Sequence, residues 1–354
     1  MLENLTQQLA ARQSLSIEQV RLAVGQLTDE KNPAPAKADF LIALAQKGES
    51  ADEIAAFAAA LREKSILPPI EKNWRESREI LDIVGTGGDR LGSLGTFNIS
   101  TTSAIVCAAA GVAVAKHGNR AVTSKSGSAD VLEALGIRID LTPEEAARSL
   151  RERNFAFFFA PNFHPAFKNI APARKLCAER GQRTIFNFLG PLLNPACPSA
   201  MLVGVPRAEL CEPFARVLQS LGVRRGMVVT GKIGNRQSAI SHSNDELSAL
   251  GENTIAEFYH AHGFTTSVLS LEDFPLQPGT LADLRGGDKF QNAEITRRIL
   301  RGEERGPKRD AVLLNAGAAL FVAGKAKSLT EGWELAVKTI DSGQADAKLA
   351  ELTR

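Results

Sequence analysis

The sequence predicts an α/β protein, with a small all-helical N-terminal domain ahead of a larger α/β domain built on a mostly parallel central sheet. Three observations predict this class. Residues 1 to about 66 hold only helical patterns, and from Ile80 onward short β-branched runs alternate with helical segments. One of those runs opens directly into a glycine-rich junction. Such alternation implies a parallel or mixed sheet covered by helices. The division falls at the Pro68-Pro69 linker. It gives a helical domain over 1–70, joined by helices near 165–185, and an α/β domain over 75–354.

In the helical part, Ser16 with Gln19 and Ser50 with Glu53 have capping-box spacing. Leu41, Leu44 and Ala45 follow a helical period, and Pro33 and Pro35 separate two helices. In the second part, Ile80 to Val84 reads as a strand and Ala104 to Ala110 as a small, apolar helical run. Val112 and Val114 read as a short buried strand with Lys116 to Asn119 at its end. Ile137 to Leu141, Ala200 to Val205 and Arg225 to Val229 read as further strands. Thr142-Pro-Glu-Glu145 starts a helix, with a cap, Pro at the first position and Glu at the third. Arg297 to Arg309 is charge-rich and reads as a solvated stretch, looped at Gly302, Gly306 and Pro307.

Composition narrows the function classes. The 354 residues suit two domains or one large one and can bury a substantial core. A net charge of +2 does not point to nucleic acid. Cys107, Cys177, Cys197 and Cys211 lack C-x-x-C spacing and read as reduced, mostly buried thiols of a cytoplasmic protein. Met1-Leu-Glu-Asn has no basic lead-in and no apolar run after it, so no signal peptide is expected. No stretch approaches the ~18 apolar residues of a membrane span.

The chemistry concentrates at strand-to-loop junctions. Asp82-Ile-Val-Gly-Thr-Gly-Gly-Asp89 carries Gly85, Gly87 and Gly88 and ends on Asp89; Thr96-Phe-Asn-Ile-Ser-Thr-Thr-Ser103 then leads into a helix. Glycines let a ligand approach the backbone, and a loop and helix start rich in N–H groups favour phosphate or pyrophosphate. Asn98, Ser100 and Thr101 stand where that helix begins, to cap it or to bind an anion. Alone, the segment also fits an ordinary glycine turn with an N-cap. It is neither a Walker loop nor a G-x-G-x-x-G fingerprint. A second junction, Lys116-His-Gly-Asn-Arg120 with Thr123-Ser-Lys-Ser-Gly-Ser-Ala-Asp130, suggests the other side of one phosphate-rich pocket.

The pair Val84-Gly-Thr-Gly-Gly-Asp89 and Lys116-His-Gly-Asn119 resembles the anthranilate phosphoribosyltransferase family. So do Arg183-Thr-Ile-Phe-Asn187 with Leu189-Gly-Pro-Leu-Leu-Asn-Pro195, and Phe163-His-Pro-Ala166 with Pro172-Ala-Arg174. The resemblance runs to Asn315-Ala-Gly-Ala-Ala-Leu320 and Gly343-Gln-Ala345, nearly the whole chain. It implies transfer of a 5-phosphoribosyl group from phosphoribosyl pyrophosphate to the amine of anthranilate, releasing pyrophosphate, in tryptophan biosynthesis. The implied protein is a cytoplasmic homodimer using two magnesium ions, with no nucleic acid or membrane as partner.

For phosphoribosyl pyrophosphate the resemblance implies Gly85, Gly87, Gly88, Asp89, Thr96, Asn98, Ser100, Thr101, Lys116 and Ser128. Lys116 is the cation for the phosphate oxygens. For anthranilate it implies Gly85, His117, Asn119, His164, Arg174, Gly190 and Pro191, with Arg174 gripping the carboxylate. Asp245 and Glu246, with Ser100, supply hard oxygen ligands for magnesium. Alone, an Asp-Glu pair more often reads as solvated surface, and a lone His as a structural imidazole. No residue reads as a general base.

Three departures from the family pattern stand out. Extra residues lie in 90–95 and in 177–181, and Ser243-Asn244 stands where the family has Gly-Leu. Two other readings compete. A pyrimidine nucleoside phosphorylase shares the Lys-Ser-Gly loop but not Arg174 with Gly190-Pro191. A non-catalytic nucleic-acid-binding relative needs a basic balance.

Overall fold

The computed structural model describes residues 1–87, 95–121, 125–234, 242–260 and 263–354, and of His242 the backbone alone. Gly88, Asp89 and positions 90–94 of the longer loop lie outside the described residues. The chain begins with four helices, Leu2–Ala10, Ile17–Thr28, Ala34–Lys47 and Ala51–Arg62. The capping boxes form as the spacing predicts. The Ser16 side chain accepts the Gln19 N–H, the Ser50 side chain the Glu53 N–H, and the Thr142 side chain the Glu145 N–H.

The strands are β1 Ile80–Gly85, β2 Ala113–Gly118, β3 Phe155–Phe159, β4 Ala200–Gly204, β5 Arg225–Ile233, β6 His242–Asn244, β7 Asn253–Tyr259 and β8 Thr265–Leu269. They form one sheet in the order β3-β2-β1-β4-β5-β7-β8, with β6 on β5. The pairs from β3 through β5 are parallel, and β6, β7 and β8 join antiparallel. The crossover from β1 goes one way to β2, while β4 pairs on its other side. Ligands of open α/β sheets bind at such a switch point, beyond the carboxyl ends of the strands.

Alternation along the strands sorts two faces. Leu81, Ile83, Val114, Leu202 and Val229 face the core beneath helices Ile99–Ala109 and Pro307–Val322. Met201, Val203, Val228 and Phe258 face a second core, shared with the four N-terminal helices and with Ile170, Ala173 and Cys177. Lys37, buried in helix Ala34–Lys47, ties that second core together: its Nζ donates to the carbonyls of Asp29 and Asn169 at 2.7 and 2.8 Å.

Two expectations need correction. The segment 137–141 pairs with no strand among the described residues, although its residues alternate between buried and exposed as a strand's would. The strand in that part of the chain is β3, an unbroken apolar run. Finally, Arg309 is not solvated: it is buried in helix Pro307–Val322 and paired with Asp341 at 2.9 Å.

Candidate active site

The glycine-rich junction leaves β1 at its carboxyl end, and a second loop closes over it from far along the chain. Asp245 and Glu246 follow β6, not β5 directly. The Gly87 N–H donates to Asp245 Oδ2 at 2.7 Å, and the Ser100 N–H donates to Glu246 Oε1 at 2.9 Å. Ser100 stands in the first turn of helix Ile99–Ala109, where the unpaired N–H groups and the helix dipole favour a carboxylate. The carboxylate loop fits only because the strand ends below it lack side chains. A Cβ on Gly204 would stand 1.4 Å from the Asp245 carbonyl oxygen, and one on Gly85 would stand 2.5 Å from Asp245 Oδ2.

Lys116 reaches the same cluster from β2. It is buried, and its Nζ donates to the Ile83 carbonyl at 2.7 Å and lies 3.5 Å from Ser100 Oγ. Burial lowers its pKa, while Asp82 and Glu246 pull it back up. Asn98 does not cap its helix. Its amide donates to the Ser126 carbonyl at 3.1 Å and its Oδ1 accepts from Asn292 at 2.9 Å, tying the two phosphate-type loops together. Ser128 opens helix Ser128–Leu135 and packs on Gly118, where a Cβ would meet its Oγ. Thr101 is buried in helix Ile99–Ala109, and Thr96 bridges to Arg285.

His117, next to Lys116 in β2, points to the opposite face of the sheet. There it begins a chain of rings. His117 meets His164 edge-on with centroids 5.3 Å apart, His164 meets Phe167 at 5.4 Å, and Phe167 meets Phe186 at 5.6 Å. The Arg174 guanidinium lies 5.2 Å from the centre of the Phe186 ring. It is exposed and forms no ion pair among the described residues. Burial pushes His117 down to about 3, aided by His164 and opposed by the Gly190 carbonyl. Burial likewise pushes His164 down to about 4. Both rings are therefore neutral at pH 7. Pro191 is buried beside them and Gly190 is exposed. The Asn119 Oδ1 accepts the Arg120 N–H at 2.8 Å.

The structure thus brings Gly85, Gly87, Ser100, Lys116, Asp245 and Glu246 into one cluster and His117, His164 and Arg174 into one aromatic wall. The two groups meet at the end of β2. Sequence reasoning missed two participants. Asn194 Nδ2 donates to Asp82 Oδ2 at 2.8 Å and to the Ala115 carbonyl at 2.7 Å, locking β1 to β2 below the site. Asp82 is fully buried, which raises its pKa to about 6 against the pull of Lys116 and Asn194. The other is Gly204; a glycine closing an apolar strand is its only local signal.

A helical bundle beside a sheet with phosphate-type loops at its switch point defines a class, the glycosyl transferases of this two-part architecture. The family model described as the glycosyl transferase family a/b domain matches residues 77–346, and that of the family's helical bundle domain matches residues 3–65. The chain is 45% identical over 352 residues to the anthranilate phosphoribosyltransferase of Lacticaseibacillus paracasei, covering 99% of this chain and 96% of that one. It superposes on the crystal structure of the Thermus thermophilus anthranilate phosphoribosyltransferase with a TM-score of 0.85 and 41% identity, covering 99% and 98% of the two chains. The Saccharomyces cerevisiae enzyme in complex with PRPP and Mg matches with a TM-score of 0.83 and 28% identity, over 99% and 96%. The chain belongs to the anthranilate phosphoribosyltransferase family.

Proposed function

We propose that the cluster at the β1–β4 switch point binds phosphoribosyl pyrophosphate and that the aromatic wall beyond β2 presents anthranilate to it. The protein transfers the 5-phosphoribosyl group of that donor to the amine of anthranilate and releases pyrophosphate, a step of tryptophan biosynthesis. One observation carries the assignment of the site: the Asp245–Glu246 loop is held by N–H groups of the glycine junction and of the helix start.

Each group then has a role. Further N–H groups of the glycine junction and of the helix Ile99–Ala109 start, beyond those of Gly87 and Ser100 that hold the carboxylates, hold the diphosphate. Lys116 offsets the charge that grows on it as the bond to the ribose breaks. Asp245 and Glu246 are a hard-oxygen donor pair beside a phosphate site, which fits magnesium held by one or two carboxylates and the substrate's phosphates. When bound, the metal neutralises charge on the departing pyrophosphate. Asp245, Glu246 and Ser100 would hold it, and two ions is our reading. Arg174 grips the anthranilate carboxylate, and neutral His117 and His164 wall the ring beside Gly190 and Pro191. Holding the amine against the anomeric carbon supplies the orientation the attack needs. The amine acquires an acidic proton only after it attacks, so the site can work without a general base.

We divide the chain into a helical domain over 1–70, completed by helices near 165–185, and an α/β domain over 75–354. The shared core of Ile170 and Cys177 with the first helices supports that division. No helix among the described residues is long and apolar enough to cross a membrane. We read the enzyme as a cytoplasmic homodimer, which sedimentation at micromolar concentration tests. Loss of anthranilate fluorescence on adding phosphoribosyl pyrophosphate and magnesium tests the reaction. Phosphorolysis of thymidine in its place would mark the protein as a nucleoside phosphorylase.

A further inference from the structure

A second concave site lies away from the reaction centre, at the open edge of the sheet. A cavity of about 290 Å³ separates β3, the edge strand, from the unpaired extended segment 137–141. Its floor is apolar, from Ile137, Leu141, Phe155 and Leu352. Four arginines converge on its rim, Arg138, Arg148, Arg153 and Arg354.

One carboxylate of that rim, Glu145, is firmly engaged. Glu145 pairs with Arg138 through two contacts of 3.1 and 3.0 Å, and Glu152 lies 3.8 Å from Arg151. Arg148 feels Glu145 only at longer range, and Arg148, Arg153 and Arg354 form no ion pair among the described residues. A helix dipole accounts for basic residues at the end of helix Pro143–Arg153. It does not account for Arg354, which comes to the same rim from a different element.

The strand edge adds a polar partner. In the β2–β3 register, the Val114 N–H donates to the Asn154 carbonyl. By alternation, Phe155 and Phe157 turn their N–H and C=O groups away from β2, toward the cavity. The Phe155 carbonyl accepts Ser149 Oγ at 2.7 Å. With one carbonyl taken and so small a volume, the groove suits a small molecule rather than an added strand.

We propose that this groove binds a small organic anion, with a phosphate or carboxylate head on Arg148, Arg153 and Arg354 and a short apolar body on the floor. Calorimetric titration of the full chain with phenyl phosphate, benzoate, inorganic phosphate and phenol tests it. Phenyl phosphate, benzoate or both should bind, and whichever does identifies the head. The Arg148→Gln/Arg153→Gln variant should weaken that binding by about tenfold or more, with melting temperature and transferase activity unchanged. Absence of binding by both aryl anions, or equal binding by the variant, overturns the proposal. So does inorganic phosphate or phenol binding as tightly as the aryl anions, since either result leaves half of the groove without a role.

Discussion

At the scale of single residues, the site depends on missing atoms as much as on charged ones. The Gly204→Ala Cβ would collide with a backbone oxygen of Asp245, so the carboxylate loop must lift. The expected result is a fall of about tenfold or more in kcat/KM for phosphoribosyl pyrophosphate, with the fold kept; unchanged kinetics would mean the loop's seat is irrelevant. For the acceptor, Arg174→Ala should raise KM for anthranilate by roughly ten- to a hundredfold, the worth of a charged hydrogen-bond pair. Arg174→Lys should recover only part of this, since Lys lacks the planar fork. If the Ala variant instead lost affinity for phosphoribosyl pyrophosphate, the two ends of the site are reversed.

Asp82 makes a pH prediction at the same scale. Its folded pKa of about 6 lies above its ordinary 3.8. The folded state therefore holds the proton more tightly, and the stability this contributes is full below the ordinary value and lost as pH rises through about 6. Relative to Asp82→Asn, the wild type should lose up to about 3 kcal/mol between about pH 4 and 7. Urea unfolding at several pH values measures the difference, and a difference that does not vary with pH contradicts a raised pKa.

At the scale of elements, the patterns that were legible are those set by neighbours in sequence. The capping boxes, the strand before the glycines and the helix after them follow from local rules. What was not legible depends on distant partners. The segment 137–141 has the alternation of a strand, yet no strand among the described residues offers it hydrogen bonds. Strand β3, Phe155–Phe159, is apolar on both faces and so carries no period to read. Asn194 was visible only as part of a motif, because its partners Asp82 and Ala115 lie about eighty residues or more before it. On strand β2 the sequence assigns Lys116 to the phosphate end and His117 to the anthranilate end, and the pleat turns the two to opposite faces of the sheet. His117 and His164 carry the test for this element. Imidazole resonances in an NMR titration should stay those of neutral rings down to about pH 5, because burial holds both below their ordinary value. A midpoint near the ordinary value would mean that water reaches the wall.

At the scale of the whole molecule, the helical bundle and the sheet share one core, and the helix Ala171–Glu179 that carries Arg174 is bolted to the bundle. Lys37 holds Asn169, Asn169 Nδ2 donates to the Thr28 carbonyl at 2.8 Å, and Arg180 pairs with Asp39 at 3.1 Å. In the proposed assignment the bundle supports the acceptor end and the sheet supports the donor end. Lys37→Ala should cost about 1–3 kcal/mol by orphaning two carbonyls. It should also raise KM for anthranilate more than KM for phosphoribosyl pyrophosphate; equal changes in both would show that the bundle does not position Arg174.

Asp245 and Glu246 would hold the metal that offsets charge on the departing pyrophosphate, on a loop seated against the glycine junction. The most direct measurement is the rate of anthranilate fluorescence loss as magnesium is titrated, for the wild type and for Asp245→Ala/Glu246→Ala, alongside anthranilate binding by calorimetry. The wild-type rate should rise and saturate with magnesium, and the variant should bind anthranilate normally but turn over at least about a hundredfold more slowly, a loss of about 3 kcal/mol of transition-state stabilisation. A variant as fast as the wild type at every magnesium concentration would remove Asp245 and Glu246 from the mechanism.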